Sequence, residues 1–221
     1  MRAVVLAAGL GTRLRWLTRA RPKALMPCGE RPVIEQVILR LVAAGVRWIA
    51  VNAHHHAEQL AQALGDGARF GCAIRISYEP ELLDSGAGAV RALKLLPEDE
   101  GPVIVHNADV LTDLDLRALW RRVPPEGAAI GLVRTRPPHL GDFAVERGAL
   151  VRARPAPWTF AGVSAWDARA LAAFGDAKPW SLTEGILAKL AEGKVRYLLH
   201  EGAWADIGRP RSWFLARWRR V

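Results

Sequence analysis

Near the start of the chain lie residues whose types and spacing suit phosphate binding. An apolar strand over residues 3–8 runs into Gly9-Leu10-Gly11-Thr12-Arg13, and Pro22-Lys23 follows. Glycines let a backbone approach a ligand closely, and successive amide N–H groups in such a turn form an anion-binding concavity. Arg13 and Lys23 add two positive charges beside it. Ala8, Gly9, Gly11, Thr12, Arg13 and Lys23 together are equipment for holding a nucleoside triphosphate. The plainer reading is a tight strand-to-helix turn with an ordinary solvated Arg and Lys. Two other glycine loops are a poor match. The dinucleotide pattern needs a third glycine where Leu14 stands, and the chain has no Gly-Lys-Ser or Gly-Lys-Thr.

A second chemical group sits at Asp109, just past the apolar run of residues 102–107. A carboxylate at the end of a buried parallel strand suits magnesium, which commonly takes one or two carboxylates plus phosphate oxygens. Read alone, Asp109 serves equally as a turn residue or a helix cap. His54-His55-His56 point different ways and have no further ligand at zinc spacing, which argues against a metal there.

Gly-x-Gly-Thr-Arg followed by Pro-Lys resembles the signature of the sugar-1-phosphate nucleotidylyltransferases. The likeness runs down nearly the whole chain and is strongest to the N-acetylmuramate-1-phosphate uridylyltransferase subgroup of cell-wall recycling. It implies transfer of a nucleotidyl group from a nucleoside triphosphate, UTP in that subgroup, to a sugar 1-phosphate, with release of pyrophosphate. It also implies Mg2+ shared by Asp109 and Asp206. Asp206 stands in Trp204-Ala205-Asp206-Ile207-Gly208, which matches the family's Trp-x-Asp-x-Gly-Thr except that Arg209 replaces the Thr. On this resemblance Arg13 and the Gly11–Thr12 amides hold the β- and γ-phosphates, and Lys23 sits near the α-phosphate. The nucleophile is a phosphate oxygen already ionised at neutral pH, so no general base is needed. Catalysis then reduces to positioning and charge neutralisation.

Most of the remaining site expectations rest on the same resemblance. Asn52 lies beside the nucleotide and Asn107 on the substrate side. The segment 79–88 is similar to the subgroup's Glu-x-x-Leu-Asp-Thr-Gly-Gly-Gly run, so Ser85, Gly86 and Gly88 would abut base and ribose, while Ala87 departs from the pattern. Ser85 as a helix N-cap is the local alternative. Gly141-Asp142-Phe143 matches an element near the sugar, where Asp142 binds a hydroxyl or merely turns the chain. Gly162 would approach the sugar. Glu184 would grip its hydroxyls, or else is a first-turn acid. The tryptophans are expected mostly to pack, and Trp180 and Trp204, which lie beside site segments, are the two placed to flank the sugar. Rival readings are a mannose-1-phosphate guanylyltransferase, a glucose-1-phosphate thymidylyltransferase, and a non-catalytic nucleotide-sensing relative.

These residues need elements to position them. Strands at 3–8, 48–53, 73–78 and 102–107 alternate with helices at 33–44, 57–64, 88–96 and 114–122. Such alternation implies an α/β, Rossmann-like, mainly parallel sheet flanked by helices, with ligands outside the carboxyl ends of the strands. After Pro124-Pro125 the pattern becomes mixed and β-rich. Strands are expected at 129–135, 160–165 and 195–200, a hairpin at 144–151, and helices at 168–174, 181–192 and 210–220. The chain of 221 residues reads as one domain over 1–221, with a nucleotide-binding half (1–125) and a sugar-binding half (126–221).

The formal charge of +9 raises nucleic-acid binding, but the arginines are scattered and no nucleic-acid signature accompanies them. A positive field also speeds encounter with anionic small substrates. Two cysteines, Cys28 and Cys72, without Cys-x-x-Cys spacing suit a reducing compartment. No run approaches the roughly 20 apolar residues of a membrane helix. The expectation is a cytoplasmic monomer or homodimer, with no nucleic-acid or membrane partner.

Overall fold

The computed structural model describes residues 1–11, 18, 21–99, 101–135, 140–208 and 213–214. Thr12 and Arg13, and most of the expected helix at 210–220, lie outside them.

β2 (Pro27–Cys28) and β3 (Arg31–Pro32) form a small hairpin apart from the main sheet, in which four strands form a parallel set: β1 (Arg2–Leu6), β4 (Trp48–Ala53), β5 (Ala73–Tyr78) and β6 (Val103–Asn107). β1 lies between β4 and β6, and β5 flanks β4. β1, β4 and β6 are almost wholly buried, as strands covered on both faces must be. Successive side chains alternate between faces. Ala3, Val5, Ile49, Val51 and Ile104 therefore join one core, and Val4, Ala50, Val103 and Val105 the other. The first core is closed by α1 (Val33–Ala43), which buries Val33, Ile34, Val37, Ile38 and Leu41 along one stripe. α2 (Ala57–Leu64) adds Leu60 and Leu64, and α4 (Leu116–Arg121) adds Leu116 and Leu119. The second is closed by α3 (Asp84–Leu93), α5 (Ala168–Ala172) and α6 (Leu182–Ala191).

The second half of the chain extends the same sheet. β11 (Trp158–Trp166) runs antiparallel to β6, and β8 (Ala128–Arg134) runs antiparallel to β11. β12 (Val195–His200) pairs parallel with β8. The hairpin β9 (Phe143–Glu146) and β10 (Ala149–Arg152) lies beyond the far end of β11. The result is a nine-stranded sheet, parallel in its first part and mixed in its second. None of the helices is long and apolar enough to cross a membrane among the described residues.

Two departures from the sequence reading matter for the site. α3 starts at Asp84 rather than 88, because tertiary contacts of Gly86 and Gly88 outweigh the poor helix propensity of glycine. The stretches around Asp109 and Asp206 also form strands. β7 (Val110–Thr112) and β13 (Trp204–Asp206) pair antiparallel, with Asp206 opposite Val110.

Candidate active site

The carboxyl ends of the parallel strands meet at one edge, where Leu6 stands in register with Asn52 on one side and Asn107 on the other. Beyond Leu6 the chain turns through Ala7–Gly11. Asn52, only 2% exposed, accepts hydrogen bonds from the amides of Ala7 (2.6 Å) and Ala8 (3.3 Å) through Oδ1. Asn52 thus holds the glycine turn from below. Gly11 has φ +63°, and a Cβ there would lie 3.0 Å from Thr18 Cγ2. Thr18 Oγ1 in turn donates to the Gly11 carbonyl at 3.0 Å.

Lys23 opens a short 3-10 turn, Lys23–Leu25, directly after Pro22. Its ammonium ion pairs with Asp109 Oδ2, and the two side chains are 17% and 26% exposed. Asp109 lies in the tight link between β6 and β7, and its carbonyl accepts from Ile207 N at 2.9 Å. That bond continues the β7–β13 pairing and brings Asp206 alongside. Asp206 Oδ1 accepts from Gly208 N at 2.6 Å. A Cβ on Gly208 would lie 2.7 Å from Asp206 Oδ1 and 3.2 Å from Lys23 Nζ. Two carboxylates separated by almost a hundred residues therefore come to the same neighbourhood, with Lys23 paired to Asp109.

Lys23, Asp109, Asn107, Ser85 and the turn Ala7–Gly9 with Gly11 line a cleft of about 590 Å³. That volume is in the range of small-molecule sites. Its opposite wall carries Leu82, Asp84 and Pro179. Leu10 and Leu82 are 45% and 42% exposed. Asn107 is flanked by Gly162, whose φ of +77° falls at a break in the β11 register. A Cβ on Gly162 would come within 2.9 Å of Asn107 Nδ2. Gly162 therefore makes room for Asn107. Trp204 Nε1 donates to Ala161 O at 2.9 Å and ties β13 to the same break.

Behind the cleft, burial keeps His106 uncharged. It is 1% exposed, and loss of water lowers its pKa from 6.5 to about 4. Arg40 lowers it further, while a hydrogen bond to the Asn107 carbonyl and the charge of Asp109 pull the other way.

The structure gives several of the expected residues protein partners of their own. Gly86 is taken up by packing: its amide donates to Trp180 O at 2.9 Å, and a Cβ there would lie 2.1 Å from the Trp180 ring. Gly88 faces Glu79 and Asn52, at 2.5 and 2.6 Å from where its Cβ would be. Neither lines the cleft. Trp180 is partly buried, stacks on Phe174 with ring centroids 4.8 Å apart, donates to Gly175 O and packs against the second core. Glu184 is engaged in a capping box: its carboxylate accepts from Ser181 N at 2.9 Å, and its own amide donates back to Ser181 Oγ. Asp142 lies outside the cleft, where Thr159 Oγ1 donates to it at 3.4 Å and Arg154 stands 4.0 Å away. Ser85 does line the cleft, and its Oγ accepts from Leu182 N at 2.9 Å. A hydroxyl that accepts one bond still has its proton to donate.

Glu79 has a part the sequence reading did not give it. It follows β5 directly, is fully buried, and touches both Asn52 and the segment that starts α3. The available signal was a carboxylate placed right after an apolar strand, at the edge shared with Asn52 and Asn107.

A family model described as nucleotidyl transferase matches residues 2–140. An N-acetylmuramate alpha-1-phosphate uridylyltransferase of Neisseria meningitidis serogroup B is 33% identical over 220 residues, covering 94% of this chain and 93% of that protein. A mannose-1-phosphate guanylyltransferase catalytic subunit beta of Xenopus tropicalis is 29% identical over 226 residues, covering 96% of this chain and 62% of that protein. Among solved structures, a Bacillus anthracis protein assigned as a glucose-1-phosphate thymidylyltransferase superposes with a TM-score of 0.87 at 20% identity, over 100% of this chain and 97% of that one. That last likeness is one of fold.

Proposed function

This chain belongs to the nucleotidyl transferase family and is a sugar-1-phosphate nucleotidylyltransferase, and we propose that it joins UTP to N-acetylmuramate 1-phosphate with the help of Mg2+. The observation that carries the reading is the convergence of Lys23, Asp109 and Asp206 beside the glycine turn. The 33% identity to a uridylyltransferase over nearly the full length of both chains supports the choice of substrates.

The donor set fits the metal. Two carboxylates supply hard oxygen ligands, and a cation already sits against one of them as Lys23. Asp109 and Asp206 would hold the ion, which when bound neutralises phosphate charge and lowers repulsion between the two substrates. The turn Ala7–Gly11, kept open by Asn52, offers its backbone to the triphosphate, with Thr12 and Arg13 completing the grip on the strength of the sequence resemblance. Lys23 stands where it can leave Asp109 and pair with the α-phosphate as negative charge builds there. A phosphate oxygen of the sugar phosphate attacks the α-phosphorus. The bond from that phosphorus to the bridging oxygen breaks, and pyrophosphate leaves with the electron pair. No proton transfer is required. Asn107 stands beside Asp109, where it can hold the sugar phosphate in line.

The test is pyrophosphate release from a panel of four nucleoside triphosphates against sugar 1-phosphates, with and without Mg2+. UTP with N-acetylmuramate 1-phosphate should be fastest. Asp109→Asn should lower turnover by about 100-fold or more, the scale of removing one electrostatic stabiliser. A preference for GTP with mannose 1-phosphate would move the chain to the other relatives, and full turnover by Asp109→Asn would remove the metal assignment.

A further inference from the structure

We infer that Glu79 is a positioning residue that sets the glycine turn for the triphosphate through Asn52, an inference that rests on the proposed nucleotide site. Glu79 is fully buried, yet no lysine, arginine or histidine side chain pairs with its carboxylate among the described residues. A buried carboxylate is costly unless hydrogen-bonded, so its partners show what it is for. Oε1 accepts from Asn52 Nδ2 at 2.7 Å, and Oε2 accepts from the Leu83 amide at 3.2 Å.

The first bond and the bonds from Ala7 and Ala8 hold Asn52 in one orientation. A carboxylate only accepts, so the Asn52 amino group must turn toward Glu79 and its Oδ1 must turn toward Ala7 and Ala8. The second bond holds the segment leading into α3, which forms the opposite wall of the cleft through Leu82, Asp84 and Ser85. One side chain therefore ties both walls together. A glutamine at this position could not do so. Its oxygen would serve one donor, and its amino group would face the other donor. Gly88 belongs to the same device, because a Cβ there would strike both Glu79 Oε1 and Asn52 Nδ2. This gives a packing reason for a glycine inside α3.

The arrangement makes a polarity-reversal test available. In Asn52→Asp, an acceptor faces the Glu79 carboxylate. Combining it with Glu79→Gln restores every bond: the glutamine amino group donates to the new carboxylate, its oxygen accepts from Leu83 N, and Asp Oδ1 still serves Ala7 and Ala8. Two readouts are needed: equilibrium binding of Mg-UTP without sugar phosphate, and hydrogen exchange at the Ala7 and Ala8 amides without any ligand. Each single variant should weaken Mg-UTP binding about tenfold, as expected for loss of one charge-assisted hydrogen bond. Each should also speed exchange at Ala7 and Ala8, while KM for the sugar phosphate holds. The double variant should recover most of both losses. Equal loss for both substrates, or a double variant no better than Asn52→Asp, would overturn the relay. Failure of the wild type to bind UTP would remove the nucleotide assignment instead, and exchange at Ala7 and Ala8 would still decide whether Glu79 sets the turn.

Discussion

Acid should destabilise this fold in a way traceable to His106. Its ring is buried between β1 and β11, in register with Val5 and Val163, and is neutral in the folded protein. Burial is the main cause of its low pKa, about 4 against an ordinary 6.5. Once unfolded, the same imidazole takes a proton as soon as the pH drops below 6.5. The folded state is therefore favoured fully above pH 6.5, and loses that advantage progressively as pH falls from 6.5 toward 4. Below about 4 both states are protonated and the effect levels off. At about 1.36 kcal/mol per pKa unit, the loss comes to about 3 kcal/mol. That is a large share of the 5–15 kcal/mol typical of a folded domain, roughly a fifth to over a half. The assay is urea unfolding at pH 7, 6, 5 and 4, for the wild type and His106→Asn. The variant starts lower, because it leaves a cavity and a changed hydrogen bond to the Asn107 carbonyl. Carboxylates affect both proteins alike, so the difference between them isolates His106. The wild type's lead should shrink by about 3 kcal/mol from pH 7 to pH 4. A constant lead over that range would refute a neutral buried imidazole.

Two further outcomes follow from the site. Gly86→Ala should cost about 1–3 kcal/mol in chemical unfolding through its collision with the Trp180 ring, and adding Trp180→Ala should return part of that loss; a fully stable Gly86→Ala would reopen ligand contact at this glycine. Lys23→Met should bind Mn2+ more tightly than the wild type when no nucleotide is present, because the ammonium that competes for Asp109 is gone. Calorimetry would read the affinity, and an unchanged value would mean that Lys23 does not compete with the ion.

The legible part of this chain was its repetition. β4, β5, β12 and α2 have the bounds their apolar patterns predict, because each is long enough for a period of two or of 3.6 to declare itself. β7 and β13 have three residues each and carry no period. They are strands because they find one another, and that pairing is what delivers Asp206 to Asp109. Sequence alone could suggest both acids by resemblance, but the register that joins them is a property of the folded chain. The glycines divide along the same line. A glycine in a pattern records that something approaches closely, without recording what. At Gly86 the neighbour is the Trp180 ring, at Gly88 a carboxylate and an amide, and at Gly162 the Asn107 side chain. Each was expected near a ligand, and at each an added side chain would meet protein. Gly86 and Gly88 let α3 settle against α6 and against Glu79, and Gly162 leaves Asn107 its place at the cleft. In these three positions the missing side chains make room for the residues around the cleft, so a substitution there should show first in stability and loop order.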